Sequence, residues 1–169
     1  LQSESPTALY VTATGGTVTT CGDYKIHTFT SPGTFTVCST GNPAGSDSVD
    51  YLVVAGGGGG GGTSCGGNQR AGAGGAGGFR ESSGAASGCY TASPLGACVS
   101  ALPVSVQGYP ITVGAGGTGS YPSPANGANS VFSTITSAGG GNGGRTGSPG
   151  AAGSGGSGGG GGASSTSGA

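Results

Sequence analysis

The sequence predicts an all-β fold of short antiparallel strands, sandwich-like in arrangement, with polyglycine-II-type glycine-rich segments and no helices. Short runs of β-branched and aromatic residues, bounded by Gly and Pro, are typical of strands. Glycine supplies 45 of the 169 residues, and only 32% are hydrophobic. No window places apolar residues at the helical spacing of 3.6, and glycine or β-branched residues interrupt every candidate helix.

The clearest strand pair lies in the first third of the chain. Residues 23–30 and 34–38 flank a Ser-Pro-Gly turn, in which Pro presets φ and Gly supplies a positive φ. This pattern predicts a hairpin, and the alternation of Phe35 and Val37 with threonines predicts one buried face. Residues 9–12 and 17–20 predict a further short pair.

Three predicted strands lead directly into glycine tracts, after residues 49–54, 109–113 and 130–136. The first of these strands is apolar at almost every position after Asp50, which predicts burial on both faces. A loop is the ordinary interpretation of a glycine tract, but the repeated junction indicates an architectural element. Composition divides the chain into a β-rich region 1–55, a glycine-rich region with interspersed strands 56–140, and a Gly/Ser-rich segment 141–169.

The last segment carries glycine at every third position. The glycines in this phase are Gly141, Gly144, Gly147, Gly150, Gly153, Gly156, Gly159 and Gly162. Extended helices of the polyproline-II family place every third residue on one edge, where close packing admits only Gly. Period three therefore predicts packed polyglycine-II helices joined by backbone hydrogen bonds. A flexible Gly/Ser tail beyond residue 155 is the alternative.

Charged residues are few: four Lys and Arg, five Asp and Glu, and a net charge of −1. Nucleic-acid binding needs clustered Lys and Arg, and the cations are scattered along the sequence. No apolar run approaches 18 residues, the length that a membrane-spanning helix requires. We therefore expect neither nucleic-acid binding nor membrane insertion. Because the first residue is Leu1, we expect a processed product or a segment of a longer protein.

Groups able to carry catalysis are scarce. His27 is the only imidazole, and no carboxylates pair at close spacing. Matches to G-x-G-x-x-G occur at 72–77 and 114–119, but no helix follows either, as a dinucleotide site would need. The sequence predicts no enzyme and no cofactor. Turnover that disappears in a His27→Ala or Asp50→Ala variant would be needed to support an enzyme.

Five cysteines lack C-x-x-C spacing and nearby His, which disfavours a metal site. Disulfides suit a chain with a weak core, and a bridge between Cys89 and Cys98 is the favoured pair. Such a bridge would contribute about 2–3 kcal/mol by loop entropy. The odd count leaves at least one thiol free or paired to another chain. Buried free cysteines are the alternative.

The order of the predicted strands and glycine tracts along the chain resembles the glycine-rich domain of bacteriophage tail fibres and related virion proteins, especially those of cyanophages. The resemblance spans residues 15 to about 145 and is most specific at 50–62 and 109–117. It implies a virion appendage, extracellular or at the virion surface, that serves host attachment or particle architecture. The five cysteines and the insert 89–98 depart from the pattern of these relatives.

From this resemblance we expect a tail-fibre or spike subunit with a role in host attachment. Its expected partners are copies of itself, a trimer being one arrangement, other virion proteins, and a host cell-surface glycan or protein. Tyr90, Tyr121 and the 89–98 loop are the candidate receptor contacts, because Tyr offers contact area at low entropy cost; the alternative is that they only pack. The rival functions are a purely structural capsid decoration or fibre protein and an ice-binding or cell-surface structural protein.

Overall fold

A computed structural model of the protein describes residues 5–63, 70–83, 99–146 and 151–163. The chain forms two compact units, each from two stretches: residues 1–52 with 81–111, and residues 53–80 with 112–169. The composition boundaries at residues 55 and 140 both fall within the second unit. Across the described ranges the chain forms strands and no helix, which confirms the all-β class. The strands are β1 Thr12–Thr14, β2 Thr17–Cys21, β3 Tyr24–Thr28, β4 Gly33–Ser39, β5 Ser48–Val49, β6 Leu52–Val54, β7 Phe79–Glu81, β8 Leu102–Pro103, β9 Gly108–Thr112, β10 Ser130–Phe132 and β11 Ile135–Ser137.

The hairpin of the first unit joins β2 to β3, not β3 to β4 as the sequence predicted. Its two-residue turn is Gly22-Asp23, and Gly22 has φ 56°, the positive value that a type II′ turn needs at its first central position. The Ser-Pro-Gly stretch connects strands that do not pair. The Phe29 ring lies there, within 3.4 Å of where Cβ atoms on Gly15, Gly16 and Gly33 would be.

Strand β4 is central in the first unit, pairing antiparallel with β1 on one side and with β9 on the other. The predicted pair of 9–12 with 17–20 is therefore wrong, because β1 pairs with β4 and β2 with β3. Phe35 and Val37 are buried while their threonine neighbours are exposed, which confirms the predicted alternation. Together with Val104 and Tyr109 they form the core of this unit.

The predicted strand 49–54 is divided in two. Between β5 and β6, the Ser82 hydroxyl donates to the Asp50 carboxylate at 2.7 Å and accepts the Tyr51 N–H at 3.0 Å. In β6 only Val53 is buried, and Leu52 and Val54 are exposed. The expectation of burial on both faces was wrong, because β6 has one neighbouring strand, β7, and alternates like an ordinary half-buried strand.

The predicted strand 130–136 is a hairpin of β10 and β11, in which Phe132 pairs with Ile135. Ser133 has φ 54° at the first central position of the turn. A run of Val, Phe, Thr and Ile around a Ser gives no turn signal, since glycine or asparagine is the usual residue at positive φ. The third junction between strand and glycine tract therefore starts from β11.

Seven extended glycine segments make up most of the described part of the second unit. We number them I to VII, and they comprise residues 55–62, 70–78, 113–120, 124–129, 138–145, 151–155 and 157–163. Strand β6 leads into segment I, β9 into segment III and β11 into segment V.

Hydrogen bonds between the segments recur every third residue. Segment I donates three N–H groups to segment II at 2.8–3.0 Å, from Ala55 to Gly78, from Gly58 to Gly75 and from Gly61 to Gly72. The residues one position later in segment I, Gly56 and Gly59, donate their N–H groups to segment IV. Successive residues therefore point to different neighbours, as in packed polyglycine-II helices.

Segment V is the centre of this bundle. It shares backbone hydrogen bonds with segments I, II, IV, VI and VII. Every N–H from Gly139 to Gly144 donates, four to backbone carbonyls and two to the side-chain oxygens of Asn126 and Asn129. The bundle is thus held by satisfied backbone groups in place of a large apolar core.

Glycine is needed in these segments because the neighbouring backbones leave no room for a Cβ. A Cβ on Gly56 would overlap the carbonyl oxygen of Ala115, and one on Gly127 would overlap that of Gly56. Among the described glycines, positive φ occurs at Gly15, Gly16 and Gly22, which all lie in the first unit. The segment glycines therefore hold backbone angles open to other residues, and only close approach excludes a side chain.

Candidate functional site: the loop end of the glycine bundle

The seven segments alternate in direction. Segments I, III, V and VII run one way, and II, IV and VI run the other, as the registers of their hydrogen bonds and bridges show. Consequently the connections I to II, III to IV and V to VI all leave the bundle at the same end. We call this the loop end; its described residues are 62–63, 119–124 and 145–146.

The connection between segments III and IV is the best defined part of the loop end. Tyr121 is 47% exposed and precedes a cis peptide bond to Pro122. The Ser120 hydroxyl donates to the Ser123 carbonyl at 2.7 Å and closes the turn. Arg145, from the end of segment V, donates through Nη1 to the Pro122 carbonyl at 3.0 Å. The connection between segments III and IV is thereby tied to the end of segment V.

An open groove of about 290 Å³ lies beside this contact. It is lined by Pro122, Ser123, Pro124, Asn142, Gly143, Arg145 and Ala151. The groove combines the apolar faces of two prolines with a guanidinium, a hydroxyl and a carboxamide. Such a mixture can pack against a ligand and hydrogen-bond its edges.

Charge is divided unequally between the two units. Residues 53–80 and 112–169 contain three arginines, Arg70, Arg80 and Arg145, and no Asp, Glu, Lys or His. All five acidic residues of the chain lie in the other unit, with Lys25. The bundle therefore carries a positive charge that no carboxylate of its own unit neutralises.

The backbones of two of these arginines lie against the end of segment VII, at the loop end. The Arg70 carbonyl accepts the N–H of Ala163 at 2.9 Å, and a Cβ on Gly162 would overlap the Arg145 carbonyl. Arg70 and Arg145 thus flank the last residues of segment VII, although 75 positions separate them in the sequence. Sequence reasoning treated them as scattered cations, because only the three-residue register of the segments brings them together.

The candidate receptor contacts are partly covered by the structure. Tyr121 lies at the loop end, while Tyr90, Cys89, Cys98 and the loop between them lie outside the described residues. Cys21 is disulfide-bonded, and Cys38 is an exposed free thiol. The favoured pair Cys89 and Cys98 stays a prediction.

The period-three glycines lie at contacts between segments wherever they are described. A Cβ would crowd a neighbouring backbone or asparagine side chain at Gly141, Gly153, Gly156, Gly159 and Gly162. Gly144 donates to Gly160 at 2.8 Å. Gly147 and Gly150 lie outside the described residues. The chain turns between Gly153 and Gly159, so the period continues across two segments.

His27, the imidazole considered for catalysis, and Tyr109 both interact with neighbouring groups of the first unit. His27 Nδ1 lies 2.8 Å from the Gly15 carbonyl oxygen, and its ring meets that of Phe35 edge-on with centroids 5.1 Å apart. Hydrogen bonds from the side chains of Gln107 and Ser105 lower the pKa of Tyr109. Within the described ranges no three His, Cys, Asp or Glu side chains gather as metal ligands, and no helix is long and apolar enough to cross a membrane.

Comparison with known proteins gives one match. Residues 30–169 match the family model of the glycine-rich domain, a range that contains all seven segments and the loop end. No curated protein and no solved structure matches the chain. The chain belongs to the glycine-rich domain family.

Proposed function

We propose that the chain is a structural component of a bacteriophage virion, a tail-fibre or spike subunit that takes part in host attachment. The observation that carries this proposal is the gathering of three connections at one end of a bundle held by backbone hydrogen bonds. Backbone hydrogen bonds of the bundle fix the described positions at which these connections leave the segments, residues 62–63, 119–124 and 145–146. The sequence resemblance to phage virion proteins supplies the biological context, a particle surface.

The loop end would present the attachment surface. Tyr121 is exposed there, and its backbone is held by the Ser120 turn and the contact between Arg145 and Pro122. A preorganised aromatic side chain loses little entropy on binding. Host-surface glycan or protein is the expected receptor.

Copies of the chain and other virion proteins are the expected assembly partners. Gly57 and Gly60 lie on an exposed edge of segment I. Their N–H groups have no hydrogen-bond partner in the described ranges, and the three-residue spacing matches that of another glycine segment. A homo-oligomer that joins bundles along this edge would satisfy both donors.

Binding of the labelled protein to intact host cells tests the proposal, with localisation in virions by antibody labelling as the second arm. We expect Tyr121→Ser to weaken cell binding and Tyr24→Ser to leave it unchanged, since Tyr24 is exposed in β3 of the other unit. Antibody at the virion surface without cell binding would support a purely structural decoration role. Absence from the particle would contradict the proposal.

An ice-binding role is the second candidate, because small residues lie on exposed period-three edges of segments I and II. Those residues are Gly57, Gly60, Ala73 and Ala76. Thermal hysteresis of the purified protein separates the candidates. A virion subunit shows none, whereas a hysteresis abolished by Ala73→Lys would favour ice binding.

A further inference from the structure

We propose that the loop end binds an anionic saccharide, with one negative group received by Arg145 at the groove and a further one by Arg70. This inference rests on the proposed attachment function and specifies the ligand class of that site. It starts from the division of charge, since the unit that holds the groove has three arginines and no acidic residue.

Arg145 is held in position while most of its donors stay available. One Nη1 bond to the Pro122 carbonyl fixes the guanidinium at the groove wall. A guanidinium has five N–H donors in a rigid fork, and carboxylate, sulfate and phosphate oxygens accept two of them side by side. Neighbouring carboxylates usually occupy such a fork in proteins, and this unit has none.

Arg70 adds a second positive charge at the same end. Its backbone and that of Arg145 flank the end of segment VII. Arg70 is exposed, and no hydrogen bond to it other than that to its carbonyl occurs in the described part of the chain. Two arginines so placed favour a ligand with repeated or multivalent negative charge.

The groove favours a sugar as the carrier of that charge. Its volume of about 290 Å³ is close to the lower end of the roughly 300–1,000 Å³ range of small-ligand sites, which suits one sugar residue. Pro122 and Pro124 offer rigid apolar faces in the groove for a sugar ring, and the exposed Tyr121 precedes Pro122 in the chain. Ser123 and Asn142 offer a hydroxyl and a carboxamide for its hydroxyl groups.

Binding to three polymers at about 0.15 M salt tests the inference on the full chain. The probes are dextran, dextran sulfate and polygalacturonate, measured by titration calorimetry or interferometry. We expect binding to at least one anionic polymer and none to dextran. Preference for the sulfated or the carboxylated polymer identifies which oxyanion the site takes.

Three arginine-to-glutamine variants, each of which removes one positive charge, test where on the chain the anionic polymer binds. Arg145→Gln should weaken binding about tenfold or more, the range expected for hydrogen bonds to charged groups. Arg70→Gln should weaken it severalfold, because Arg70 does not line the groove and acts through its charge. Arg80→Gln should change binding less than about twofold, because Arg80 lies in β7, beyond the far end of segment II and roughly 30 Å from Arg70 at about 3.1 Å per residue. That distance exceeds the roughly 8 Å screening length at this salt. Arg145→Lys should give an intermediate loss, since the charge remains but the fork is lost.

Equal losses in all three glutamine variants, or equal affinity for dextran, would overturn the inference. A melting temperature within a few degrees of the parent chain shows that each variant is folded. If host cells bind the Arg145→Gln variant as well as the parent, the anionic site fails while the attachment function stands. If host cells bind neither protein, the attachment function itself fails.

Discussion

The backbones of Gly58 and Gly141 approach so closely that a Cβ on Gly58 would overlap the carbonyl oxygen of Gly141. Gly57, its neighbour in sequence, faces the exposed edge of segment I, where a Cβ would lie 3.6 Å from the Gly75 carbonyl oxygen. Two adjacent glycines therefore have opposite tolerance for a methyl group.

Substitution of these two glycines by alanine tests that asymmetry. Gly58→Ala should lower the free energy of unfolding by about 1–3 kcal/mol, because the segments must separate to admit the methyl group. Gly57→Ala should leave it unchanged or raise it by about 0.4–1 kcal/mol, since alanine restricts the unfolded chain. Denaturant unfolding measures both. Equal destabilisation would mean that glycine serves the conformation of segment I and not its packing.

Ser133 is the one described non-glycine residue with a positive φ. A left-handed backbone conformation costs a residue with a Cβ about 1–2 kcal/mol of folding free energy. Glycine avoids this steric cost but loses about 0.5–1 kcal/mol because it gives up more conformational entropy on folding. Ser133→Gly should therefore stabilise the protein by about 0.5–1 kcal/mol. Thr134→Gly, at the next turn position, should destabilise it. Loss of stability in both variants would contradict the turn geometry, and thermal unfolding distinguishes the outcomes.

The Asn129 side chain supports the central segment by accepting the N–H of buried Gly139 at 2.9 Å. Asn129→Ala removes the acceptor and leaves that donor unpaired, which should cost about 1–3 kcal/mol. Asn129→Asp keeps an oxygen of the same shape and should retain most of the stability. Hydrogen exchange at the Gly139 amide gives a local readout, with faster exchange expected in the alanine variant only. Unchanged exchange there would show that water replaces the side chain.

Cys21 and Cys38, both in the first unit, should differ in reactivity toward maleimide. Cys38 is an exposed thiol and Cys21 is disulfide-bonded, so maleimide should label Cys38 in the non-reduced native protein and Cys21 only after reduction. Peptide mapping by mass spectrometry reads the two sites separately. Cys38→Ser should abolish the first label without changing the melting temperature. Labelling of Cys21 before reduction would contradict its disulfide.

The sequence predicted the elements of this fold better than their partners. Alternation placed Phe35 and Val37 in the core, and glycine tracts after strands anticipated the bundle. Strand pairing was missed where turn chemistry was weak or misleading, as at Ser133 and at the Ser-Pro-Gly stretch. Proline and glycine promote a change of direction without specifying which strands then pair.

The candidate site was largely beyond sequence reasoning. Tyr121 could be named because exposed tyrosines in turns are recurrent contacts. The placement of the Arg70 and Arg145 backbones against the end of segment VII depends on the register of segments II, V and VII. Glycine segments of low complexity give no sequence signal for register, since every residue in them looks alike. Their three-residue period fixes which edges can meet, but the sequence does not say which neighbours they meet.

The transverse direction of the bonds around segment V has a mechanical consequence. A force applied at the loop end and resisted at the opposite end, where β6 and β11 lead into segments I and V, would act along the segments and across their hydrogen bonds. Hydrogen bonds loaded in shear must break many at a time. Hydrogen bonds loaded perpendicular to the segments break one after another, at a lower force. Because five segments are bonded to segment V, the bundle should resist force best along the direction of the segments. It should be weakest to a perpendicular force that separates segment III from segments I and IV.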